Sequence, residues 1–397
     1  MVKSLKVKND GSFRILQITD LHLVSGKATI NDKDKQTMHW VSDAIERSNP
    51  DLIEFTGDLA GGGVEGRNNA VREVADFLEE KKIYWTYVFG NHDGEHTVDE
   101  NGNDVWLGRD GKRTDLMKAC SGVKSTFKEE TGTIYYGDNA KGNEEIYDII
   151  KDYSFCLTRR DPLEKDNADL MGVGNFVVDL VNNEGETVFT IVHMDSHGKF
   201  YVDPADNTNG NDGCKDMGYV GLTDMQVEWY KNIIKPYADK GIKSAIFMHV
   251  PNYGFREITE NLTTLNDYGV PQFKELDDIK NHVDTFKETG FLKDEGIYSP
   301  RWDEGLEKVM DEYRSTNLIS VGHDHNNCFY LKKNISSKDD KNEIILAYGR
   351  CSGVNAWGRW AKIGASIYDV NTNGKTIDDI YIINEIYPDF EYSVWDA

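Results

Sequence analysis

Aspartate, asparagine and histidine stand directly after five separate apolar runs of this chain. The runs FRILQIT, LIEFT, YWTYVF, SAIFM and NLISV are followed by DLH, GD, GNHD, H and GHDH. The polar residues of these blocks are Asp20, His22, Asp58, Asn91, His92, Asp93, His249, His323 and His325. In an open α/β sheet, ligands bind beyond the carboxyl ends of the strands. We therefore expect these side chains to meet at one edge of a sheet.

Most of these side chains are metal ligands by type. Carboxylate, amide and imidazole groups suit Fe, Mn, Zn, Co or Ni rather than Cu(I). One tetrahedral zinc ion takes three or four ligands, and this chain offers more than that. The candidates are Asp20, His22, Asp58, Asn91, His249, His323 and His325. Two ions about 3.5–4 Å apart form the usual clamp for phosphoryl transfer, and Asp58 is the expected bridge between them.

Each block taken alone has an ordinary structural explanation. An Asp-x-His or Gly-Asp sequence after a strand is common in turns. A single histidine such as His249 is more often a core residue than a ligand. The five blocks in this order favour a dinuclear metal site over five unrelated turns. Asp324, between the two histidines of the last block, is interpreted as a turn carboxylate.

The apolar runs predict a mixed α/β protein. Helical spacing of apolar residues predicts helices over 38–48 and 70–80, between the early strands. Alternating strands and helices are typical of α/β folds, whereas the later strands follow one another closely and indicate two mixed sheets. The predicted strands are 13–19, 52–57, 84–90, 175–181, 187–193, 244–250, 317–322, 343–349, 365–370 and 380–386.

The chain is interpreted as a single domain over residues 1–397 with three insertions. Polar, turn-rich stretches interrupt the pattern at about 94–150, 199–222 and 252–300. They are too long for ordinary loops, and the last could hold a short helical lid. We expect these insertions to lie beside the site and to set its specificity.

The composition limits the classes of partner. Lys and Arg number 45 and Asp and Glu 69, which gives a formal charge of −24. That charge repels nucleic-acid backbones, so no nucleic-acid polymer is expected as a partner. Bound cations would supply the positive charge that a small phosphorylated substrate needs. The five scattered cysteines argue against a disulfide framework and a thiolate zinc site.

The sequence also bears on location. No apolar run reaches the roughly 18 residues of a membrane-spanning helix, and the first residues, MVKSLKVKNDGSF, do not have the apolar segment of a signal peptide. We expect a soluble protein, either cytoplasmic or secreted after removal of a leader. The compartment and the oligomeric state are left open.

The order of the five blocks resembles the calcineurin-like metallophosphoesterase superfamily. Its pattern of D-x-H, GD, GNH[DE], a lone His and GH-x-H stands here without a substitution over residues 20–325. The stretch HMDSHG (193–198), followed by GLTDMQVEWYKNII (221–234), is similar to the purple-acid-phosphatase-related branch. The resemblance implies a four-layer αββα sandwich, in which two mixed β-sheets are flanked by helices.

The resemblance also implies roles for the residues. One metal would be held by Asp20, His22 and His325, the other by Asn91, His249 and His323, with Asp58 shared. His92 would face the phosphate and assist the leaving oxygen, and Asp93 would orient His92. Purple acid phosphatases have a metal-binding Tyr three residues after the bridging Asp, where this chain has Gly61. A purple centre is therefore not expected, and two divalent ions of open identity (Fe, Mn, Zn, Co or Ni) are.

The expected function is hydrolysis of a phosphate ester by in-line attack of a metal-bound hydroxide, with a phosphomonoester favoured over a diester. The alternative is a metal-dependent binding scaffold of the same fold without catalysis. The intact His92 and the complete ligand set favour the enzyme. His197 and Arg350 are weaker candidates for substrate binding, since each has a comparable explanation as an ordinary turn residue.

Overall fold

The structure is a computed structural model, and two mixed β-sheets stacked face to face form its centre. It describes most of the chain, with gaps in the insertions and at the carboxyl end. The described residues are 3–24, 32–61, 63–106, 124–129, 132–136, 140–204, 215–260, 263–265, 271–273, 291–292, 297–300, 303–338, 340–356 and 363–385.

The first sheet has five strands and contains the early apolar runs. The three strands of the early apolar runs are parallel to one another. The late hairpin pairs antiparallel with the first of these three strands. In spatial order the strands are β22 (Thr376–Glu385), β21 (Ile363–Asn371), β2 (Ser12–Ile18), β3 (Leu52–Thr56) and β4 (Trp85–Val88).

The second sheet has seven strands and contains the later runs. Its four central strands, β10, β13, β17 and β20, are parallel to one another. In spatial order the strands are β1 (Lys3–Lys6), β9 (Phe176–Val181), β10 (Thr187–His193), β13 (Lys243–Phe247), β17 (Thr316–Val321), β20 (Glu343–Tyr348) and β19 (Tyr330–Asn334).

Helices cover the outer face of each sheet. They are α1 (Asp32–Ser48), α2 (Val64–Lys81), α3 (Ala140–Ile150), α4 (Glu164–Met171), α5 (Asp224–Ala238), α6 (Tyr253–Glu260) and α7 (Leu306–Tyr313). The first three pack on the five-stranded sheet around Trp40, Val74 and Ile146. Helices α5, α6 and α7 pack on the seven-stranded sheet around Tyr230 and Phe255.

A third apolar cluster lies between the two sheets. Ile15 and Val88 of the five-stranded sheet share this cluster with Val178, Ile191 and Phe247 of the seven-stranded sheet, and all five are buried. Since each sheet buries one face against its partner and the other against helices, the layers run helix, sheet, sheet, helix. The four-layer αββα arrangement is therefore confirmed.

Two of the predicted insertions pair with each other. Strands β7 (Lys124–Glu129) and β8 (Gly132–Tyr136) come from the first, and β11 (Lys199–Pro204) and β12 (Lys215–Tyr219) come from the second. They form one antiparallel sheet in the order β12-β11-β8-β7. The two insertions are therefore one structural unit; that the chain is a single domain stays a prediction.

Short pairs of strands complete the described structure. The hairpin of β5 (His96–Val98) and β6 (Asp104–Trp106) follows the GNHD block directly. The other pairs are β14 (Thr263–Leu265) with β15 (Pro271–Phe273), and β16 (Phe291–Leu292) with β18 (Asn327–Cys328). Among the described residues no helix is both long and apolar enough to cross a membrane. The third insertion does contain a short helix, α6.

Candidate metal centre

Both sheets deliver the predicted ligands to one edge. Strands β2, β3 and β4 end just before the DLH, GD and GNHD blocks, and β13 and β17 end just before His249 and the GHDH block. Within each sheet these strands run parallel, so their carboxyl ends lie side by side. Residues from opposite halves of the chain meet there as a result.

Four of the predicted ligands form one group, comprising Asp20, His22, Asp58 and His325. Each offers an atom within 4.8 Å of the others. Nε2 of His22 lies 3.0 Å from Nε2 of His325 and 3.7 Å from Oδ2 of Asp58. Nε2 of His325 lies 3.4 Å from Oδ1 of Asp20. Carboxylate oxygens and imidazole nitrogens this close could hold one cation.

A second group shares one member with the first. Asp58, His249 and His323 also offer atoms within 4.8 Å of one another. Nε2 of His249 lies 3.3 Å from Oδ2 of Asp58 and 3.1 Å from Oδ1 of Asn91. Because Asp58 belongs to both groups, its carboxylate lies where a bridging ligand between two cations would lie.

The contacts behind these side chains direct particular atoms towards the centre. Nδ1 of His249 lies 2.7 Å from the carbonyl oxygen of Thr56, which can only accept, so Nδ1 carries a proton and Nε2 is the nitrogen directed at the centre. Oδ2 of Asp20 accepts hydrogen bonds from the Thr19 hydroxyl at 2.8 Å and the His323 amide at 3.1 Å.

Oδ1 of Asp20 and Nε2 of His323 are buried and make no hydrogen bond to any residue that the structure describes. Leaving a buried polar atom unsatisfied costs about 1–3 kcal/mol. A cation bound at these atoms would remove that cost. The donor set therefore fits the pair of divalent ions that the sequence predicts.

Electrostatic coupling inside the cluster is strong. Burial opposes ionisation of Asp58, but the neighbouring His249, His92 and His22 together outweigh it and hold the carboxyl pKa well below its usual range. Burial lowers the pKa of His249, but the Asp58 carboxylate opposes it, and the pKa is raised to about 10. Burial and the neighbouring His325 lower the pKa of His22 to about 3. The site thus combines an ionised Asp58 carboxylate with a neutral His22 imidazole, the protonation states that ligate metals, whereas His249 would release a proton when a cation binds.

The backbone is strained at the ligands. Asp20, His22, Asp58 and His323 have φ of 55°, 46°, 51° and 79°. Residues other than glycine adopt this left-handed region at a cost of about 1–3 kcal/mol, and such residues concentrate at functional sites. The left-handed backbone conformation turns these side chains away from the strand direction and towards the centre.

Glycines in the motif blocks allow the loops to approach closely. A Cβ at Gly57 would collide with the His249 ring and the Gly90 backbone, and Gly57 also has φ of 91°. A Cβ at Gly90 would collide with the Asp58 carboxylate. The glycines before Asp58 and Asn91 are therefore packing requirements of the centre.

Asp93 does not contact the His92 imidazole, contrary to the expectation from the family pattern. Its Oδ2 accepts from the amides of Asp58 at 2.8 Å and Gly90 at 2.7 Å. Its Oδ1 accepts from the amide of Leu59 at 3.0 Å and from the Tyr87 hydroxyl at 2.6 Å. The buried carboxylate is fully used in holding the GD loop against the GNHD loop, so it supports the backbone of Asp58 instead.

The carboxylate beside the His92 ring is that of Glu95. Its Oε1 lies 2.8 Å from Nδ1 of His92. The His92 amide donates to Oδ1 of Asp58 at 2.8 Å, and its ring lies 5.5 Å from that of His22. His92 thus lies beside the ligand cluster without belonging to it. Sequence reasoning missed Glu95, although its position three residues after His92 in GNHDGE was available.

The two weaker candidates lie outside the ligand cluster. His197 has φ of 58°, its amide donates to Oδ1 of Asp195 at 2.9 Å, and Nδ1 lies 3.3 Å from the Gly221 carbonyl oxygen. Arg350 is fully buried and donates to the carbonyl of His325 at 3.1 Å. This contact ties Arg350 to the loop of His325, and substrate binding by Arg350 and His197 stays a prediction.

Two tyrosines that the sequence did not single out lie against His323. The ring centroid of Tyr219 is 4.3 Å from that of His323, and the centroid of Tyr298 is 6.5 Å away. Tyr219 ends β12, in the second insertion, and Tyr298 lies near the end of the third. The insertions therefore do reach the site, on the side of the second ligand group.

Known proteins match this chain in both sequence and structure. The profile of the calcineurin-like phosphoesterase family matches residues 13–327. Phosphatase DCR2 of Saccharomyces cerevisiae is 22% identical over 401 residues, which cover 94% of this chain and 54% of the relative. Probable inactive purple acid phosphatase 28 of Arabidopsis thaliana is 34% identical over 105 residues, covering 24% of this chain and 26% of the relative.

Solved structures align over most of the chain with low identity. A dimetal phosphatase from Danio rerio aligns with a TM-score of 0.44 and 11% identity, over 90% of this chain and 92% of that one. This chain spans about half the length of the yeast relative and about a quarter of the Arabidopsis one. The family profile covers most of this chain, including all five motif blocks. The chain belongs to the calcineurin-like phosphoesterase family.

Proposed function

We propose that this protein hydrolyses a phosphate ester of a small substrate, using two divalent ions held by the ligand cluster. The observation that carries the proposal is the position of Asp58 in both ligand groups. One ion would contact Asp20, His22, Asp58 and His325; the other would contact Asp58, Asn91, His249 and His323. When bound, such ions lower the pKa of water and neutralise phosphate oxygens.

The remaining steps belong to residues of the chain. Asp58 fixes the spacing of the two groups, and Asp93 holds the Asp58 backbone through its amide. The His92 ring is about 29% exposed next to the cluster, so a bound ester can reach it. Donation of a proton from His92 to the departing oxygen is worth about 10²–10⁴ in rate.

Within this reaction a monoester is the better substrate on charge grounds. A phosphate monoester carries a charge of about −1.5 to −2 near pH 7, whereas a diester carries one negative charge. Two divalent ions attract the more highly charged monoester more strongly. The charge of −24 on the chain makes this attraction a requirement for any phosphorylated substrate.

The competing function is a metal-dependent binding scaffold. Arabidopsis relatives are described as probable inactive purple acid phosphatases, so members of this branch include proteins named as inactive. This chain retains His92 and all the ligand candidates, which supports catalysis.

The test is hydrolysis of p-nitrophenyl phosphate and bis-p-nitrophenyl phosphate. Metal-stripped protein is reconstituted separately with Mn, Fe, Zn, Co or Ni, and Asp58→Asn and His92→Ala are assayed beside it. We expect turnover that needs metal, prefers the monoester and falls at least about 100-fold in both variants. Asp148→Asn and His39→Ala change an exposed aspartate and an exposed histidine as matched controls. Two bound ions without turnover of either ester would favour the scaffold.

A further inference from the structure

The Glu95 carboxylate contacts the ring of His92, and the proposed hydrolysis gives it no role so far. Its Oε1 lies 2.8 Å from Nδ1 of His92, and the two side chains are 15% and 29% exposed. A carboxylate can only accept from this nitrogen, so Nδ1 carries a proton. Nε2 is then the ring nitrogen directed away from Glu95.

The surrounding backbone holds Glu95 in this place. The Glu95 amide donates to the His92 carbonyl at 3.3 Å, which closes a turn around the pair. The buried Arg67 contacts the carbonyl oxygens of Asp93 and His96, on either side of Glu95. Arg67 is in turn paired with Glu145 of α3 at 2.7 Å. The contact between Glu95 and His92 is thus supported from two helices.

We propose that Glu95 is the positioning residue of His92. It fixes the ring orientation and the proton on Nδ1, so that Nε2 delivers its proton to the departing oxygen of the ester. In that step the bond from phosphorus to the departing oxygen breaks, and the His92 proton moves to that oxygen. Water supplies the new oxygen on phosphorus and, overall, the proton that restores His92.

The role differs from that of the other two acidic residues near His92. Asp93 is occupied by backbone amides and the Tyr87 hydroxyl, and Asp58 contacts the His92 amide through Oδ1. Among the described residues the Glu95 carboxylate contacts the His92 imidazole, and it is not part of either ligand group. Its loss should therefore leave the metal content unchanged.

This inference rests on the proposed hydrolysis, and a leaving-group series tests it. Glu95→Gln keeps the size of the side chain but removes its charge. For phenyl phosphate, whose departing oxygen needs the proton, kcat should fall about 10- to 100-fold. For 2,4-dinitrophenyl phosphate, whose departing anion is stable without a proton, kcat should fall less than about 3-fold. Glu100→Gln, an exposed glutamate of the same segment, is the matched control.

A double variant separates positioning from general damage. In the His92→Ala background, Glu95→Gln should cause no further loss on phenyl phosphate, because the two residues act as one unit. Metal content and melting temperature of Glu95→Gln should equal those of the wild type. Equal losses across the leaving groups, additive losses in the double variant or lost metal would overturn this inference alone. A metal-loaded wild type that hydrolyses none of these esters would overturn the proposed function with it.

Discussion

Asp93 and Glu95 are two residues apart and have separate tasks. Asp93 joins two loops through backbone amides, whereas Glu95 contacts the ring of His92. Sequence alone could not distinguish them, because both are carboxylates within reach of the same histidine. The partners of a carboxylate depend on the direction in which the turn after β4 leaves the sheet, and a motif does not record that direction.

Gly61 leads to a spectroscopic prediction. A Cβ at this position would meet no atom within 4 Å, so the place of the purple-acid-phosphatase tyrosine is open. Iron-loaded protein should therefore show no visible band from phenolate to Fe(III), measured by absorption in air. A visible band would contradict this, and Tyr219 would then be the phenol to replace by Phe, since its ring lies 4.3 Å from that of His323.

Glu304 leads to a pH prediction. Burial raises the pKa of its carboxyl from 4.5 to about 8, although Oε2 accepts from the Tyr253 amide at 3.0 Å. Between these values the unfolded chain has released the proton and the folded chain has not, so stability falls as pH rises from 4.5 to 8 and then levels off. At about 1.4 kcal/mol per pKa unit, the loss amounts to a few kcal/mol.

Urea unfolding at pH 5 and pH 8.5 measures this effect. Glu304→Gln cannot ionise, so its free energy of unfolding should fall less between the two pH values than that of the wild type. Glu184→Gln, at an exposed glutamate, should follow the wild type. Identical pH dependence in the wild type and Glu304→Gln would rule out the raised pKa.

At the scale of elements, the strands of the two large sheets were the most predictable part. Each predicted run corresponds to an observed strand, because a strand buried on both faces is continuously apolar. Helix α1 begins at Asp32, six residues before the predicted start at 38, because its first turn is polar. The sheet made by the two insertions was not predicted, since pairing between distant segments leaves no local pattern.

The clustering of the ligand candidates was predictable for a related reason. The order of strand ends along the chain, together with residue type, sufficed to select seven side chains that the structure brings together. The supporting contacts were not predictable. Thr56 supports His249 through its carbonyl oxygen, a group that every residue has. Arg350 supports the GHDH loop through a hydrogen bond to the carbonyl oxygen of His325.

The junction between the GD and GNHD loops should tolerate no side chain at Gly90. Gly90→Ala would push a methyl group into the Asp58 carboxylate, so we expect a loss of about 1–3 kcal/mol and weaker metal binding. Gly61→Ala adds the same methyl group in the neighbouring GD loop, where no described atom lies within 4 Å of the new Cβ, and should change stability by less than about 0.5 kcal/mol. Urea unfolding and titration calorimetry with Mn would compare them, and equal effects would refute the packing argument.

At the scale of the whole molecule, the ligands join the two sheets. Asp20, Asp58 and Asn91 follow strands of the five-stranded sheet, and His249 and His323 follow strands of the seven-stranded one. Bound ions stabilise only the folded chain, by about 2.7 kcal/mol at 100 times the dissociation constant. Chelation should lower the melting temperature by a few degrees, and Asp58→Asn should respond less to chelator in scanning calorimetry. A wild-type melting temperature that ignores chelator would contradict this role.

The place of β21 beside β2 has a consequence for biosynthesis. All the ligand candidates have left the ribosome once residue 325 has, yet β2 pairs with β21 at residues 363–371, and the amide of Ser352 donates to the carbonyl of Thr19 beside Asp20. The loop of Asp20 therefore acquires its support late, and metal capture should follow the synthesis of residues 363–371. A chain stopped after residue 340 should retain every ligand candidate and bind no ions by equilibrium dialysis; stoichiometric binding would show that the centre assembles before β21 is made.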